Sequence, residues 1–519
     1  MANKLGVHVV LGNLPNTAEN EPDPTRKRAG LVEVCGDKEA ATSDERRVLF
    51  RHVISPFTER VLRPGAPAAY RRLKAFERLS ADAVREVQWA GLRSFLAQAA
   101  ATVPYYRQAF GELGLAAGDF ASPAFTPEAF ARLPILTKPD VRRGFPAGLV
   151  SETERARRRP PWRRVRVFRT SGTTGLPLKF YRDPDLRPCD QALRRRQYAW
   201  GGLVPGDQIV HVRVTVYVSP GLYPFWSFFN GTRLLPPDLT FERDGRAIAR
   251  LLDDWRPEAL VVEYTNLLAL AAQALQQAGL RLRRPPKAIF VGGETVDAAT
   301  WRLFTAAFEA PVHVQYGANE FDIYLAQSCP DRVAGGEPPF ENLHISASRF
   351  YVEVVDDKGR PVESGREGRI IITDLGNRLM PFIRYDIGDR GSLAPGLCPC
   401  GRGLPLLASL SGRSVERVVL PSGKRLAASV LAWALGRLQD LMWEFQFRQT
   451  APDQLEVLVV PNPGVTFGAS EQEAIIRVLR DLLGEPMVVS VRVVDLIPRD
   501  PSGKRPLLKT LPGGEMTIG

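Results

Sequence analysis

The stretch that decides the fold is EALVVEYTNLLALAAQALQQAGLRLRRPPKAIFVGGE, residues 258–294, followed by AATWRLFTAAFEAPVHVQYG, residues 298–317. Short aliphatic and β-branched runs such as ALVV and AIFV alternate there with longer segments whose apolar residues recur every three or four positions. The short runs are typical of buried parallel strands, and the longer segments are typical of helices. The alternation extends from Val165 to about Leu410. The sequence therefore predicts the α/β fold class, with parallel-rich sheets covered by helices.

Three regions differ in composition. The chain has 519 residues, which exceeds the usual size of one hydrophobic core, so we expect a large domain and a smaller one. Residues 1–45 are polar and turn-rich, which predicts a poorly ordered leader. Residues 46–412 form the predicted N-terminal domain, which begins with helical patterns up to Arg143. Residues 413–519 form the predicted small, mobile C-terminal α+β domain, in which MVVSVRVVDLI is the last expected strand.

The overall composition is that of a globular protein. Apolar residues make up 44% of the chain, and no apolar run approaches the roughly 18 residues of a membrane helix. The first residues lack a secretory signal pattern, which favours a cytoplasmic protein with no membrane partner. The net charge of +12 is compatible with binding either nucleic acid or small polyanionic substrates. The densest basic run, residues 155–166, contains two prolines and lacks repeated aromatic interleaving, so we expect it to be solvated and not to bind nucleic acid.

The strongest local signal is TSGTTGLPLK, residues 170–179, after the β-prone run VRVFR. Two glycines let the backbone bend round a phosphate, while hydroxyls, main-chain amides and a lysine can bind its oxygens. The loop lacks the Gly-Lys-Ser/Thr ending of a Walker loop. A Ser/Thr/Gly-rich surface turn is the alternative interpretation. The candidate phosphate-binding residues, with Lys179 as a candidate catalytic cation, are Thr170, Ser171, Gly172, Thr173, Thr174 and Gly175.

This loop resembles the signature loop of the adenylate-forming superfamily, which includes acyl-CoA synthetases, peptide-synthetase adenylation domains and luciferases. Further signatures of that superfamily follow in the same order: VGGE (291–294), YGANE (316–320), RYDIGD (384–389), GR (412–413) and PRDPSGK (498–504). The segments TVPYYRQAF, LPILTKPDVRRGF, LMPFIRYDIGD and CPCGRG resemble phenylacetate-CoA ligase and the related capsule-biosynthesis and coenzyme F390 synthetase-like proteins. The resemblance covers nearly everything after the leader.

The resemblance implies an AMP-forming acid–thiol ligase that binds ATP, Mg²⁺, coenzyme A and a small-molecule carboxylic acid. Because a carboxylate and ATP repel each other, cationic groups and Mg²⁺ must neutralise charge on the α-phosphate. The family places its C-terminal lysine there, which makes Lys504 the principal catalytic candidate; a solvated lysine in a turn is the alternative. By the same resemblance, Glu320 holds Mg²⁺ and Asp389 accepts hydrogen bonds from the ribose.

An adenine site is also implied by the resemblance. Tyr316 is expected to stack on the base, while Gly293 allows close approach of the backbone and Arg413 reaches the ribose. Glu294 and Gly317, in the same two motifs, complete the nucleotide-binding candidates.

Three positions, in two motifs, depart from the family pattern. Asn319 stands where threonine is common, and Val415 and Glu416 stand where this branch usually has two aspartates. These departures leave open a nucleotide-binding module that has lost catalysis, although Lys504 and Glu320 are retained. A second alternative is an adenylating enzyme that passes its acyl group to a carrier protein or an amine. A homodimer is also left open.

A separate group of metal-binding residue types consists of Cys329, His344, Cys398 and Cys400. Thiolates and a neutral imidazole are the ligands of tetrahedral Zn²⁺, and related proteins of the branch resemble this chain in carrying them. Four protein ligands leave no position for water, so we expect a structural zinc site that fixes loops. Unpaired reduced cysteines or a loop disulfide are the alternatives.

The acyl pocket is expected between residues 214–231 and the VGGE turn. Tyr217, Tyr223, Phe225 and Trp226 could form an aromatic wall, which favours an aryl or arylacetic acid as the substrate. The same aromatic residues could belong to the core instead.

Overall fold

The computed structural model describes residues 48, 50–62, 64–160, 163–169, 178–212, 227, 231–235, 244–263, 265–293, 296, 298–411, 417–423, 425–435, 438, 441–462, 465–497 and 507–510. The predicted leader, residues 1–45, lies outside these residues, as do the predicted wall residues Tyr217, Tyr223, Phe225 and Trp226.

The strands lie mostly after residue 205, as the apolar pattern predicts. They are β1 Val167–Arg169, β2 Lys179–Tyr181, β3 Ile209–Val212, β4 Thr232–Leu234, β5 Ala259–Val262, β6 Ala288–Gly292, β7 Val312–Gly317, β8 Tyr324–Gln327, β9 Leu343–Ile345, β10 Phe350–Val355, β11 Gly368–Asp374, β12 Tyr385–Leu393, β13 Leu406–Ser411, β14 Arg417–Val419, β15 Arg425–Ala427, β16 Met442–Ala451, β17 Gln454–Pro461, β18 Val488–Val493 and β19 Leu508–Thr510.

In the described part of the chain, eleven strands form one large sheet in the order β10-β11-β12-β13-β9-β8-β7-β6-β5-β3-β4. From β4 to β7 neighbouring strands are parallel, and from β7 to β10 they are antiparallel. Strands β5 and β6 are buried along their whole length, as expected for parallel strands covered on both faces. The predicted α/β class is therefore confirmed, with an antiparallel half added to the parallel one.

The helices supply the layers that cover this sheet. A helical segment begins with π-turns at Phe50–Ile54 and Thr58–Leu62 around Ser55–Phe57. The regular helices are α1 Ala66–Phe76, α2 Ala81–Thr102, α3 Pro104–Gly111, α4 Pro127–Ala131, α5 Lys138–Gly144, α6 Glu152–Ala156, α7 Arg187–Ala199, α8 Gly245–Trp255, α9 Thr265–Gln277, α10 Ala298–Phe308, α11 Pro330–Ala334, α12 Ala428–Leu435 and α13 Ala469–Leu483. No helix of the described residues is long and apolar enough to cross a bilayer.

Side-chain caps fix where several of these helices begin. Thr137 and Asp140 form a capping box at the start of α5, and the side chain of Asp244 accepts from Ala247 N at the start of α8. Helices α8, α9 and α10 lie in the chain between the parallel strands β4 and β7, so each completes a strand–helix–strand unit.

A second hydrophobic core lies after β13 in the chain. There β18, β17, β16 and β19 form a sheet. Strands β16 and β17 are antiparallel, β18 runs parallel to β17, and β19 runs parallel to β16. Its core includes Leu431, Phe447, Val457 and Leu479. The prediction that MVVSVRVVDLI is the last strand was wrong. Strand β19 follows it and pairs with β16, because Leu507 and Leu508 bury their side chains in this core.

The described residues of the basic run at 155–166 are mostly exposed, as predicted, and Arg159 is an exception. Only 6% of the Arg159 side chain is exposed, and its guanidinium lies 2.8 Å from Glu154 Oε2 and 3.4 Å from Asp183 Oδ1. Arg163 Nη1 pairs with Asp185 Oδ1 at 2.8 Å. Local acids therefore neutralise part of this run, and the sequence pattern missed them because two of the three lie some 20 residues further along the chain.

Candidate functional site

Glu320 lies in the turn between β7 and β8 and is 5% exposed. Its Oε1 accepts a hydrogen bond of 2.8 Å from the hydroxyl of Tyr385, which is fully buried at the start of β12. Burial raises the pKa of Tyr385 well above its ordinary range, and the neighbouring Glu320 carboxylate raises it further. The phenol therefore stays protonated and acts as a donor that orients the carboxylate.

The Tyr385 ring is itself held from several sides. Its centroid lies 4.8 Å from that of Phe382 and 6.4 Å from that of Phe321, which follows Glu320 directly. On the other flank, Leu136 N donates to Arg384 O at 3.0 Å and Asp386 N donates to Leu136 O at 2.9 Å. Tyr385 was not among the predicted site residues, although the RYDIGD motif contains it.

Arg384 fixes the backbone just before Tyr385. It is 1% exposed and has a φ of 46°, in the left-handed region that residues other than glycine rarely adopt. Its guanidinium pairs with the Glu353 carboxylate at 3.1 Å and donates to Ala131 O at 2.6 Å. The unusual backbone conformation is thus held by a buried ion pair, which keeps Tyr385 directed at Glu320.

Two of the predicted nucleotide-binding residues contact each other. Tyr316, at the end of β7, donates its hydroxyl to Asp389 Oδ2 at 2.9 Å. Asp389 lies in β12, four residues after Tyr385. Both residues are partly exposed. A base stacked on this ring would lie beside a carboxylate that can accept hydrogen bonds from ribose hydroxyls.

Gly293 directly follows β6 and lies in the left-handed region, with a φ of 85°. A β-carbon there would also come within 3.1 Å of Glu263 O, so both conformation and space favour glycine. A β-carbon on Gly317, at the end of β7, would lie 3.1 Å from atoms of Tyr324. The two predicted glycines therefore mark points where the backbone lies unusually close to its neighbours.

Lys179 begins β2, which pairs antiparallel with β1 so that Lys179 lies opposite Arg169. Both residues are exposed, and side chains of directly paired residues point to the same face of a sheet. Like charges in this position repel, and an anion between them would relieve the repulsion. Residues 170–177, the predicted phosphate loop, join these two strands and lie outside the described residues. Arg169 was missed, although it directly precedes the loop.

Other predicted site residues also lie outside the described residues. They are Thr170, Ser171, Gly172, Thr173, Thr174, Gly175, Glu294, Arg413 and Lys504, together with the departure at Val415.

Cys329, His344, Cys398 and Cys400 converge. Their ligand atoms all lie within 4.8 Å of one another. Cys398 Sγ is 3.6 Å from Cys329 Sγ, and Cys400 Sγ is 3.3 Å from His344 Nε2. A tetrahedral ion with Zn–S bonds of about 2.3 Å and Zn–N bonds of about 2.0 Å places its ligand atoms about 3.5–3.8 Å apart. The Cys398–Cys329 and Cys400–His344 separations lie close to this range, and the three cysteines are free thiols.

Burial and one arginine set the pKa values of the side chains in this cluster. Burial lowers the pKa of His344 to about 3, so its imidazole is neutral. Burial raises the pKa of Cys329 to about 12. Burial also acts to raise the pKa of Cys400, but main-chain and side-chain hydrogen bonds from Arg402 outweigh it and lower the pKa. Arg402 Nη1 also pairs with Asp331 Oδ2 at 2.7 Å, which ties the Cys398–Cys400 loop to α11.

Family models match two parts of the chain. The model described as AMP-binding enzyme matches residues 133–380, and the model described as CapK C-terminal domain matches residues 418–510. The first match contains the turn with Glu320 and the Tyr316 ring. The second contains the β16–β19 sheet and the position of Lys504.

Curated relatives are similar over most of the chain. Phenylacetate-coenzyme A ligase of Escherichia coli is 25% identical over 411 residues, which cover 75% of this chain and 84% of the relative. Phenylacetate-coenzyme A ligase of Pseudomonas putida is 27% identical over 374 residues, which cover 67% of this chain and 74% of the relative.

Among solved structures, 2-hydroxyisobutyryl-CoA ligase shares the fold. Its complex with 2-HIB-AMP and CoA in the thioesterification state has a TM-score of 0.54 and 20% identity, and the match covers 84% of this chain and 91% of that chain. Its postadenylation state with 2-HIB-AMP has a TM-score of 0.52 at the same identity and coverage.

Proposed function

Because the chain belongs to the adenylate-forming superfamily, on its phenylacetate-CoA ligase-like branch, we propose that it activates a carboxylic acid with ATP and transfers the acyl group to coenzyme A. In the first step a carboxylate oxygen attacks the α-phosphorus, and the bond to the bridging oxygen breaks to release pyrophosphate. In the second step the CoA sulfur attacks the acyl carbon, AMP leaves, and the thiol proton passes to solvent. The net products are an acyl-CoA, AMP and pyrophosphate.

The observation that carries this proposal is the arrangement of two carboxylates, each held by a tyrosine hydroxyl. Tyr385 orients Glu320 and Tyr316 contacts Asp389, and all four come from motifs that match the family in order. Asp389 would bind the ribose hydroxyls while the ring of Tyr316 covers the adenine. Glu320 would then face the phosphates.

Glu320 is the residue that would hold Mg²⁺. Its carboxylate offers hard oxygen ligands, and the bond from Tyr385 occupies only one of its roughly four acceptor positions. Mg²⁺, when bound, neutralises charge on the phosphates as pyrophosphate leaves. Lys179 and Lys504 would supply the cations at the phosphates and at the acyl carboxylate.

Zn²⁺ is the proposed occupant of the Cys329, His344, Cys398 and Cys400 cluster. The convergence of their ligand atoms supports this, and four protein ligands would fill the coordination shell. The ion would therefore have a structural role in holding the Cys398–Cys400 loop against β9.

The proposed acid is an aryl or arylacetic acid, because the curated relatives are phenylacetate-CoA ligases. We propose to measure acid-dependent pyrophosphate release from Mg·ATP across aryl, arylacetic and aliphatic acids, with and without CoA. We expect an aromatic acid to support turnover and CoA to accelerate it. Turnover that ignores CoA but responds to an amine or a carrier protein would assign the acceptor to the alternative class.

Lys504→Ala tests the catalytic lysine in the same assay. We expect pyrophosphate release to fall by about a hundredfold, since the variant removes a cation from the charge that develops at the α-phosphate. Lys358→Ala, in the exposed turn between β10 and β11, is the matched control and should keep full activity. Equal rates in the two variants would remove Lys504 from the mechanism, and wild-type protein that releases no pyrophosphate with any acid would contradict the ligase function.

A further inference from the structure

Arg182 connects the strand that carries Lys179 with the turn that carries Glu320. It follows β2 directly, and its Nη1 lies 2.6 Å from Asp322 Oδ2, two residues beyond Glu320. Its Nη2 lies 2.9 Å from Asp190 Oδ2 in α7. One planar guanidinium thus holds acids from two separate segments, which a lysine could not do with the same geometry.

The turn on the Glu320 side has a left-handed backbone at Asp322. Its φ is 58°, a conformation that aspartate adopts more readily than most residues other than glycine. Arg194 Nη2 donates to the main-chain oxygen of Asp322 at 3.0 Å, so a second arginine holds the backbone while Arg182 holds the carboxylate. The path of the chain just after Glu320 is therefore fixed by contacts with Arg182 and with α7.

The other side of Arg182 is anchored in the protein interior. Asp190 also accepts from Arg349 Nη1 at 2.9 Å, and Arg349 Nη2 donates to Asp374 Oδ2 at 3.0 Å. The side chains of Arg349 and Asp374 are 5% and 2% exposed. The arginines and aspartates of this network, equal in number and opposite in charge, are Arg182, Arg194, Arg349, Asp190, Asp322 and Asp374.

The Asp322 end of the network differs from the Asp374 end in exposure. The Asp322 side chain is 55% exposed, so its ion pair with Arg182 adds little to the stability of the protein. What the pair does fix is a distance: strand β2 and the β7–β8 turn are held together at one point. The ring of Phe168 in β1, 5.3 Å from the guanidinium, holds Arg182 from the remaining side.

We propose that the Arg182–Asp322 ion pair is a positioning device that fixes the turn bearing Glu320 against the strand bearing Lys179, and so sets the geometry in which Mg²⁺ and the phosphates of ATP bind together. This inference rests on the proposed function, because it assigns Glu320 and Lys179 to Mg·ATP. Asp322 and Arg182 are positioning residues. They act through the two groups that they hold.

The test is calorimetric titration of ATP into the full-length protein, with and without Mg²⁺, for wild type and Asp322→Asn. The amide keeps the size of the side chain and removes the charge that Arg182 pairs with. We expect ATP affinity without Mg²⁺ to change by less than twofold, and the gain in affinity on adding Mg²⁺ to fall about tenfold. The midpoint of thermal unfolding should shift by no more than about 2 °C, because the Asp322 side chain is about half exposed.

Glu309→Gln is the matched control. Glu309 also has a left-handed backbone, with a φ of 51°, and pairs with one arginine, Arg281, at 2.9 Å. The Glu309→Gln variant should bind ATP as the wild type does, both with and without Mg²⁺. If Mg²⁺ raises the ATP affinity of the Asp322→Asn variant as much as that of the wild type, the positioning role is overturned, whatever the acid assay shows. If Mg²⁺ raises the ATP affinity of the wild-type protein but no acid supports turnover, the ligase function is overturned and the positioning role stands. If the wild-type protein binds no ATP, both proposals are overturned.

Discussion

The carboxylate site around Glu320 and the thiol cluster around His344 lie at the two ends of the same short strand in sequence. The turn with Glu320 leads into β8, and Cys329 follows two residues after β8 ends. Strand β12 shows the same order, since Tyr385 begins it and Cys398 follows it. The chain therefore runs twice from one site to the other, and the two sites share their supporting strands.

The sites differ in what their ligand atoms already contact. At the first, each carboxylate accepts from a neutral tyrosine hydroxyl, at 2.8 Å for Glu320 and 2.9 Å for Asp389. A carboxylate has further acceptor positions, so such a site can bind and release ligands. At the second, four thiol and imidazole atoms lie within 4.8 Å of one another, the number that fills a tetrahedral shell. The difference agrees with the proposal of one site that binds and releases substrates and one site that holds a structural ion.

The largest effect that this comparison predicts comes from removing one ligand of the cysteine–histidine cluster. Cys398→Ser should abolish stoichiometric zinc binding and lower the free energy of unfolding by about 3 kcal/mol or more, because a lost metal leaves its buried ligands unpartnered. Metal content by plasma mass spectrometry, about one zinc per chain in wild type, and thermal unfolding would measure this.

Cys189→Ser is the control for that substitution, because Cys189 is an exposed free thiol in α7, outside the cluster. It should bind zinc and unfold as wild type does. Wild-type protein without zinc, or a Cys398→Ser variant as stable as Cys189→Ser, would show that the converging ligands do not hold a structural ion.

Periodicity was sufficient to predict the fold in its parallel half. Strands β5, β6 and β7 are short apolar runs between helices, and burial on both faces makes such runs visible in a sequence. It was insufficient for β19, a strand of three residues, Leu508–Thr510. So short a run carries no period, and only its packing against β16 makes it a strand.

The residues proposed to contact ligands stand out in the sequence more clearly than the residues that hold them. Glu320 and Tyr316 stand in motifs, and the structure places each beside a tyrosine or acid of another motif. Tyr385 and Arg182 were missed, because their roles depend on contacts between segments distant in sequence. Tyr385 stands in the RYDIGD motif, but nothing local to that motif shows that its hydroxyl donates to Glu320.

A smaller effect is expected from Tyr385→Phe at the carboxylate site around Glu320. The variant keeps the buried ring and removes the donor to Glu320, and a hydrogen bond to a charged group contributes about 1.5–3 kcal/mol. We expect kcat for pyrophosphate release to fall at least about tenfold and the Mg²⁺ concentration for half-maximal rate to rise. Titration of activity with Mg²⁺ at saturating ATP measures both.

Tyr106→Phe is the matched control for that variant. Tyr106 is 2% exposed, and its hydroxyl donates to Pro381 O at 2.9 Å and accepts from Ile383 N at 3.1 Å. Its loss should lower stability without changing the Mg²⁺ dependence. If both variants shifted the Mg²⁺ dependence equally, Tyr385 would be a packing residue with no special link to Glu320.

The smallest effect is expected at Tyr316, where two substitutions separate the role of the hydroxyl from that of the ring. Tyr316→Phe keeps the ring for the adenine and removes only the bond to Asp389, so we expect KM for ATP to rise about threefold with kcat nearly unchanged. Tyr316→Leu removes the ring as well and should raise KM by a further tenfold or so, since base–aromatic stacking contributes about 1–3 kcal/mol. Competition by adenosine against ATP separates the two contributions, because adenosine carries the base and ribose without phosphates. Equal affinity of the Phe and Leu variants for adenosine would show that the ring does not cover the base, and that Tyr316 serves only to orient Asp389.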